Sequence, residues 1–292
     1  DKISGEIAFN ENLSKYSWFN LGGAAKVLFK PKTLGELSIF LQNIRGFNKI
    51  EVLGVGSNTL IRDAGYNGIV IKLGKNFSHL SLFDNNKIIS GASALDKNVS
   101  NFALENSIKG FEFLSCIPGT IGGGIRMNSG CYGEDISKIL VSVQVMNLDG
   151  KIKIIHNRDI KFSYRGCDIE SNLIFISATF KGTKKDKVKI KEKIDDLIKK
   201  KKEDQPSKIK TCGSTFKNPD GNKAWKLIKD SGCSNMKVGD AHISEKHSNF
   251  LVNNGNANSK DLETLINLVK EKVFNKTGVN LELELKIIGE KL

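Results

Sequence analysis

Nowhere in the 292 residues is there an apolar run near the ~20 residues that a membrane-spanning helix needs. The opening Asp1-Lys2-Ile3-Ser4-Gly5-Glu6 has neither the basic start nor the apolar stretch of a secretory leader. Cysteines are few and irregular: Cys116, Cys131, Cys167, Cys212 and Cys233 are odd in number and never spaced C-x-x-C. That pattern excludes a disulfide framework or a zinc centre as the organising principle and suits a reducing compartment. No metal is expected, most of the thiols are expected to be small buried residues, and the chain is expected to be cytoplasmic. No internal repeat is present.

Hydrophobic residues make up 39% and charged residues 26%, an ordinary balance for a soluble globular chain long enough for one large domain or two smaller ones. The formal charge of +13 raises nucleic acid as a partner, so its distribution matters. Residues 181–210 hold 13 Lys against 6 Asp or Glu, a net of +7, leaving +6 for the remaining 262. Within them Ile190, Ile194, Leu197 and Ile198 recur at i, i+4, i+7 and i+8, the stripe of an amphipathic helix. Its lysines then form a solvated face. No aromatic residue interleaves with them, which removes the stacking platform that single strands need. No nucleic-acid partner is expected.

Along the first 180 residues the pattern mixes short strands and helices. Ala25–Phe29, Lys49–Leu53, Ile69–Leu73 and Lys87–Gly91 read as strands; Thr33–Ile44, capped by Thr33, and Leu95–Asn106 read as helices. Val141, Val143 and Val145 alternate up to the turn at Asp149-Gly150, Lys151–Ile155 returns, and Leu173–Phe180 is one more strand. The basic helix is expected to connect, over 181–206, to a second unit at 207–292. There Leu262, Leu265, Ile266, Val269 and Val273 mark a helix from Lys260 to Asn275, capped by Ser259 and ended by Gly278. Leu281, Leu283, Leu285 and Ile287 share one face of a predicted strand from Asn280 to Ile288. The class is α+β.

Five segments stand out chemically. Gly54-Val55-Gly56-Ser57-Asn58-Thr59-Leu60-Ile61 follows a strand; its glycines permit a tight turn and close approach to a phosphate. It lacks the third glycine of the dinucleotide fingerprint, since Thr59 stands there. In Ile117-Pro118-Gly119-Thr120-Ile121-Gly122-Gly123-Gly124, five of eight residues are Gly or Pro. With the following Asn128, Gly130, Tyr132 and Gly133, this stretch is expected to be irregular and ordered by a large flat or diphosphate ligand. Two such loops suggest a dinucleotide cofactor. Phe162-Ser163-Tyr164-Arg165, the loop Cys212–Pro219 and Glu284 complete the set. Taken singly, each reads as a turn or surface feature.

In their order and context, these segments together with Trp18–Gly23, His247–Asn253 and Leu281–Gly289 resemble the UDP-N-acetylenolpyruvoylglucosamine reductase (MurB) family over nearly the whole chain. The resemblance implies an FAD-binding domain of the vanillyl-alcohol-oxidase/PCMH type at 1–180. It also implies a smaller α+β substrate-binding domain at 207–292 that contributes the catalytic Ser and Glu. FAD would be held non-covalently by Gly54, Gly56, Ser57, Asn58, Thr59, Leu60, Ile117, Pro118, Gly119, Thr120, Gly122, Gly123, Asn128, Gly130, Tyr132 and Gly133. NADPH would be the reductant. The enolpyruvyl ether of UDP-N-acetylglucosamine would be the substrate, held in part by Tyr164, Lys217 and Asn218, and the protein would be a monomer.

The resemblance makes Ser214 the proton donor to an enolate and Arg165 the cation at the substrate carboxylate. Glu284 beside that carboxylate meets like-charge repulsion, so one of the two holds a proton and Glu284 acts as a donor. Cys116 and Cys212 depart from the small residues, such as glycine, expected at their positions. The run from Arg165 to Ser214 is short for a member with an extra substrate-capping loop. Two rivals stand beside this reading. One is another non-covalent FAD oxidoreductase of the same group acting on a small alcohol or sugar; many relatives in that group tether flavin through a histidine of the first glycine loop, which has none here. The other is a basic binding module without catalysis.

Overall fold

The computed structural model describes residues 3–47 and 49–291; Asp1 and Lys2 of the N-terminal segment lie outside them. The chain forms two compact units that interleave in sequence: Asp1–Ala8, Leu28–Gly54 and Val70–Lys201 in one, and Phe9–Val27, Val55–Ile69 and Lys202–Leu292 in the other. This division differs from the expected one at 180 and 206. Two internal segments join the C-terminal residues, and most of the basic helix goes with the first unit.

The first unit is built on a five-stranded antiparallel sheet in the order Ile152–His156, Leu140–Met146, Ile174–Lys181, Lys87–Gly91, Leu80–Phe83. The hairpin expected at Asp149-Gly150 pairs Val143 with Ile155 and Val145 with Lys153. Ile88, Val143, Val145, Ala178 and Phe180 enter a core with Val99 and Ala103 of helix α2 (Asp96–Glu105) and Ile121 and Ile125 of α3 (Ile121–Arg126). Helix α1 (Leu34–Asn43) starts where Thr33 accepts a hydrogen bond from the Glu36 N–H and stacks Phe40 on Phe29 at 3.9 Å between ring centroids. The lysine-rich α4 (Lys187–Asp204) buries Ile190 and Ile194 and exposes most of its charge, as the stripe requires.

In the second unit, α5 (Ala224–Asp230) and α6 (Ser259–Thr277) pack with the small sheet Lys237–Val238, Ala241–Ile243, Leu251–Asn253. All five residues of the predicted α6 face are buried. Gly278 ends the helix in the left-handed region at φ +73°. The cap, however, is Asn258, whose side chain accepts from the Asp261 N–H in a reciprocal capping box. Ser259 is engaged elsewhere, with its Oγ donating to Asp63 at 2.7 Å.

The predicted C-terminal strand is shorter than its pattern. Leu281 and Leu285 are buried, yet only Lys286–Ile288 forms a ladder, parallel to Thr59–Ile61. A three-residue partner allows no more, and the residues before it pair irregularly with the loop around Thr215. This pairing, with Phe19, Leu21 and Leu60 in the same core, is why the early segments belong to the C-terminal unit. Among the described residues no helix is long and apolar enough to cross a membrane.

Candidate active site

Ser214 lies in the second unit on a loop entered through Gly213, whose φ of +77° suits glycine. The loop is clamped from two sides. Asn249, buried, accepts from the Phe216 N–H at 3.0 Å and donates to the Phe216 carbonyl at 2.8 Å, while its own carbonyl takes the Thr215 N–H. Ser214 bridges Phe250 and Phe216 bridges Leu283. On the other side the Glu284 N–H donates to the Thr215 carbonyl at 2.9 Å. Ser214 and Glu284 are thus one hydrogen-bonded step apart, both half-buried.

The first glycine loop joins this cluster from residue 55 onward. The Asn58 amide donates to the Glu284 carbonyl at 3.0 Å, and the Lys286 N–H donates to the Asn58 carbonyl at 3.1 Å. Gly56 has φ +67°, and a Cβ there would stand 1.9 Å from the Tyr16 carbonyl oxygen, so no other residue fits. The Cys212 thiol is aimed at the Gly56 and Thr59 carbonyls at 3.4 and 3.6 Å. Burial pushes its pKa up to about 12, which makes it an inert neutral brace for the loop. Leu60 lies wholly in the core, so only its backbone faces the loop.

Arg165 and the second glycine loop belong to the first unit. The short strands Phe162–Ser163 and Gly166–Cys167 pair as a hairpin with Tyr164 and Arg165 at its tip. Arg165 has φ +60°, an unfavourable conformation for a side chain of its size. Its Nη2 donates to the Gly130 carbonyl at 2.9 Å, and its guanidinium lies 4.9 Å from the Tyr164 ring centroid. Asn128, at φ +42° and buried, donates to the Ser163 carbonyl and accepts from the Ser137 N–H. Asn128, expected as a cofactor contact, thereby also braces the loop against the hairpin.

The glycine-rich stretch is not irregular: it contains α3, and much of its order comes from the chain itself. The Ile121 and Gly122 N–H groups donate to Ala94 and Ala92 at 2.9 and 2.8 Å. A Cβ on Gly124 would meet Ile136 at 2.6 Å, and one on Gly130 would meet the Glu134 carbonyl at 2.2 Å. Gly123 is different. It is exposed, and a Cβ there would find only Thr120 Oγ1 at 3.6 Å. Pro118, Tyr132 and Gly133 are exposed beside it in sequence, and a Cβ on Gly133 would meet nothing within 4 Å. These positions give the loop an open backbone surface, which fits an extended, flat, phosphate-bearing cofactor.

Gly54 itself belongs to the first unit, and a Cβ there would come 2.7 Å from Thr120 Oγ1. The ammonium of Lys72 donates to the Gly54 carbonyl, and burial first, then Lys30, lowers its pKa. Cys116, whose role was open, is buried beside the loop; Lys201 donates to its carbonyl at 2.7 Å. The neighbouring Cys131 thiol is the main cause holding the Cys116 pKa below the ordinary thiol range.

Tyr164 is largely exposed, consistent with a ligand-facing position. Lys217 pairs with Glu282 at 3.4 Å, and Asn218 accepts from the Ala224 N–H at the start of α5. Sequence reasoning missed Asn249, Lys72 and Asp96. Asn249 sits inside the quoted segment His247–Asn253 and had a signal there; the other two had none.

Residues 25–156 match the model of an FAD binding domain, and residues 205–288 match the C-terminal domain of UDP-N-acetylenolpyruvoylglucosamine reductase. A reductase of that name from Pelagibacter ubique is 50% identical across 99% of this chain and 96% of its own. The one from Rickettsia prowazekii is 44% identical across 99% and 97%. The crystal structure of the enzyme from Thermus caldophilus superimposes with a TM-score of 0.84 at 30% identity, covering 98% of this chain and 99% of that one. These likenesses set aside both the small-alcohol oxidase and the binding module. The chain belongs to the UDP-N-acetylenolpyruvoylglucosamine reductase family and is an FAD- and NADPH-dependent oxidoreductase.

Proposed function

We propose that this reductase forms UDP-N-acetylmuramate from UDP-N-acetyl-3-O-(1-carboxyvinyl)glucosamine in the cytoplasm, as a monomer, with Ser214 supplying the proton. FAD, when bound, would supply the hydride-transfer chemistry that links NADPH to the terminal vinyl carbon of the substrate. The chain's own residues do the rest. The loop from Gly54 to Thr59 and the stretch from Ile117 to Gly133 hold the cofactor, with Gly123 and Gly133 leaving room for it. Tyr164 and Arg165 bind the substrate, the guanidinium gripping its carboxylate in a planar fork.

Hydride addition leaves negative charge on the carboxylate and the adjacent carbon. Arg165 neutralises that charge as a cation, and Glu284 stabilises it as a hydrogen-bond donor. Ser214 then gives its hydroxyl proton to that carbon. A serine hydroxyl is a weak acid and succeeds only against a strong base held within hydrogen-bond reach. Lys217, released from Glu282, and Asn218 take the diphosphate end of the substrate.

The observation that supports this reading most is the hydrogen bond from the Glu284 N–H to the Thr215 carbonyl, which joins the backbone of the segment carrying Glu284 to that of the loop carrying Ser214. The test is an absorbance spectrum of the purified protein. A yellow preparation bleached by NADPH and recoloured by the UDP-sugar under anaerobic conditions is expected. Bleaching without recolouring sinks the substrate assignment.

A further inference from the structure

Asp96, the first residue of α2, is fully buried, and neither carboxyl oxygen has a hydrogen-bond partner among the described residues. It lies beneath the second glycine loop. Its Oδ2 stands 2.6 Å from where a Cβ on Gly119 would be, and its Oδ1 stands 3.5 Å from the corresponding point on Gly124. The Asp96 N–H donates to the Gly119 carbonyl at 3.1 Å, and Leu95 bridges Thr120. Gly119 is therefore a glycine because the Asp96 carboxyl occupies the space of its side chain. The buried acid Glu36 shows the contrast: its carboxylate collects the Ser4 N–H, the Ser4 hydroxyl and the Lys32 N–H, and these hold its pKa down to about 2. Asp96 collects none.

Among the described residues no charged group beside Asp96 favours its ionisation. Ser100, one turn along α2, is itself buried without a partner among the described residues. Around the carboxyl, Gly119, Thr120 and Gly124 belong to the loop, Ser129 follows it, and Ile136 packs on Gly124. Lys97 is exposed, and Arg126, at the end of α3, is committed to the carbonyls of Ile169, Glu170 and Leu173. Burial alone pushes the Asp96 pKa up to about 8.

We propose that Asp96 is a positioning residue for the glycine loop that works as a neutral acid, so that its ionisation loosens the grip of the loop on FAD. This rests on the reading that residues 117–133 hold the cofactor. A carboxylate on the inner side of a loop that carries a diphosphate would place like charges across a thin, dry layer of backbone, where repulsion is poorly screened. The neutral acid fills the same space without that penalty. Bound FAD therefore holds the Asp96 proton more tightly than the flavin-free protein does, and the two processes are linked.

The sign follows from that difference. Below about pH 7 both forms are protonated and FAD affinity is constant. As pH rises through about 8 the flavin-free form loses its proton first, which draws the equilibrium toward release. Starting from the holoenzyme, FAD dissociation is followed by recovery of flavin fluorescence between pH 6.5 and 9.5. The Kd of the unmodified protein is expected to rise about threefold or more from pH 7 to 9, below the limit of about tenfold per pH unit for one proton. In Asp96→Asn, which keeps the shape, affinity should match at pH 7 and this rise should vanish. An Asn variant that keeps the full slope, or one that already binds FAD poorly at pH 7, overturns the proposal.

Thermal melting supplies a second measurement that does not depend on cofactor. Raised in the folded state above its ordinary value near 3.8, the Asp96 carboxyl must take up a proton on folding, so its burial costs more stability as pH climbs. Asp96→Asn should melt above the unmodified protein at pH 7, with the gap closing toward pH 4. A gap that does not change with pH also overturns the proposal. Gly123→Asp separates the underlying reading. Space exists for the side chain, so if this variant binds FAD normally, residues 117–133 are not the cofactor cradle, whatever Asp96 does.

Discussion

Gly56 and Gly123 both lie in loops proposed to hold flavin, and the reasons for them differ. Gly56 is dictated by the chain: its φ is positive, and a side chain would collide with the Tyr16 carbonyl. Gly123 sits in a helical turn with room for a methyl group and with no backbone need for glycine. The loops also differ in company. Residues 55–61 are laced to Glu284 through the Asn58 side chain and to Lys286 by backbone pairing, in the unit that holds Ser214. The second loop is braced by Asn128 to a hairpin whose tip residue, Arg165, is itself strained. The proposed proton donor thus rests on ladder-like backbone, and the proposed carboxylate clamp on a turn. A glycine that its own fold does not require is the better pointer to a ligand.

The largest effect should come from Ser214→Ala. Loss of the hydroxyl leaves the second loop, in the other unit, untouched, so NADPH should bleach the flavin at close to the normal rate. Reoxidation by the UDP-sugar should slow ~10²–10⁴-fold, the range for losing a positioned proton donor. Stopped-flow absorbance follows each half-reaction alone. A variant impaired in the NADPH half and normal in the other breaks the comparison outright.

Next in size is Arg165→Lys, with turnover expected to fall about 10²-fold although charge is kept. Lysine offers neither the planar fork nor the geometry that reaches the Gly130 carbonyl and stacks over Tyr164. Near-normal kcat/KM in the lysine variant would remove the carboxylate clamp from Arg165. Gly56→Ala tests the first loop by stability: a left-handed residue with a methyl group against a carbonyl should cost about 2 kcal/mol or more, read from urea midpoints. Unchanged midpoints would mean that the Tyr16 contact yields easily.

Much of this was legible beforehand. The face of α6, the Asp149-Gly150 hairpin and the Thr33 cap are local signals, and periodicity or a single turn residue suffices to read them. What stayed hidden was of two kinds. Pairing of Thr59–Ile61 with Lys286–Ile288 spans over two hundred residues, and no local pattern announces it. Helix α3 was hidden because three consecutive glycines argue against a helix by propensity, and only the carbonyls of Ala92 and Ala94 and the packing on Ile136 override that. Ser214, Arg165 and Glu284 were named by motif resemblance, not by any local pattern. Asp96, one acidic residue at the start of a helix, looks like an ordinary first-turn charge until its burial is known.

The smallest predicted effect is the most pointed, because stability and binding should move in opposite directions. In Gly123→Ala the added methyl group meets only Thr120 Oγ1, at ordinary van der Waals distance, and the residue is helical. The flavin-free protein should therefore gain about 0.4–1 kcal/mol in urea unfolding, the usual return for replacing glycine where alanine fits. FAD should nevertheless leave faster, because the methyl group projects into the open surface where the cofactor backbone contact is needed. Neither measurement alone is decisive, since a variant could lose flavin merely by unfolding, or gain stability at a site of no functional interest. Both together place the reason for this glycine outside the protein chain. Unchanged flavin dissociation in a stabilised variant would show that Gly123 is dispensable, and the contrast with Gly56 would then carry no information about the cofactor.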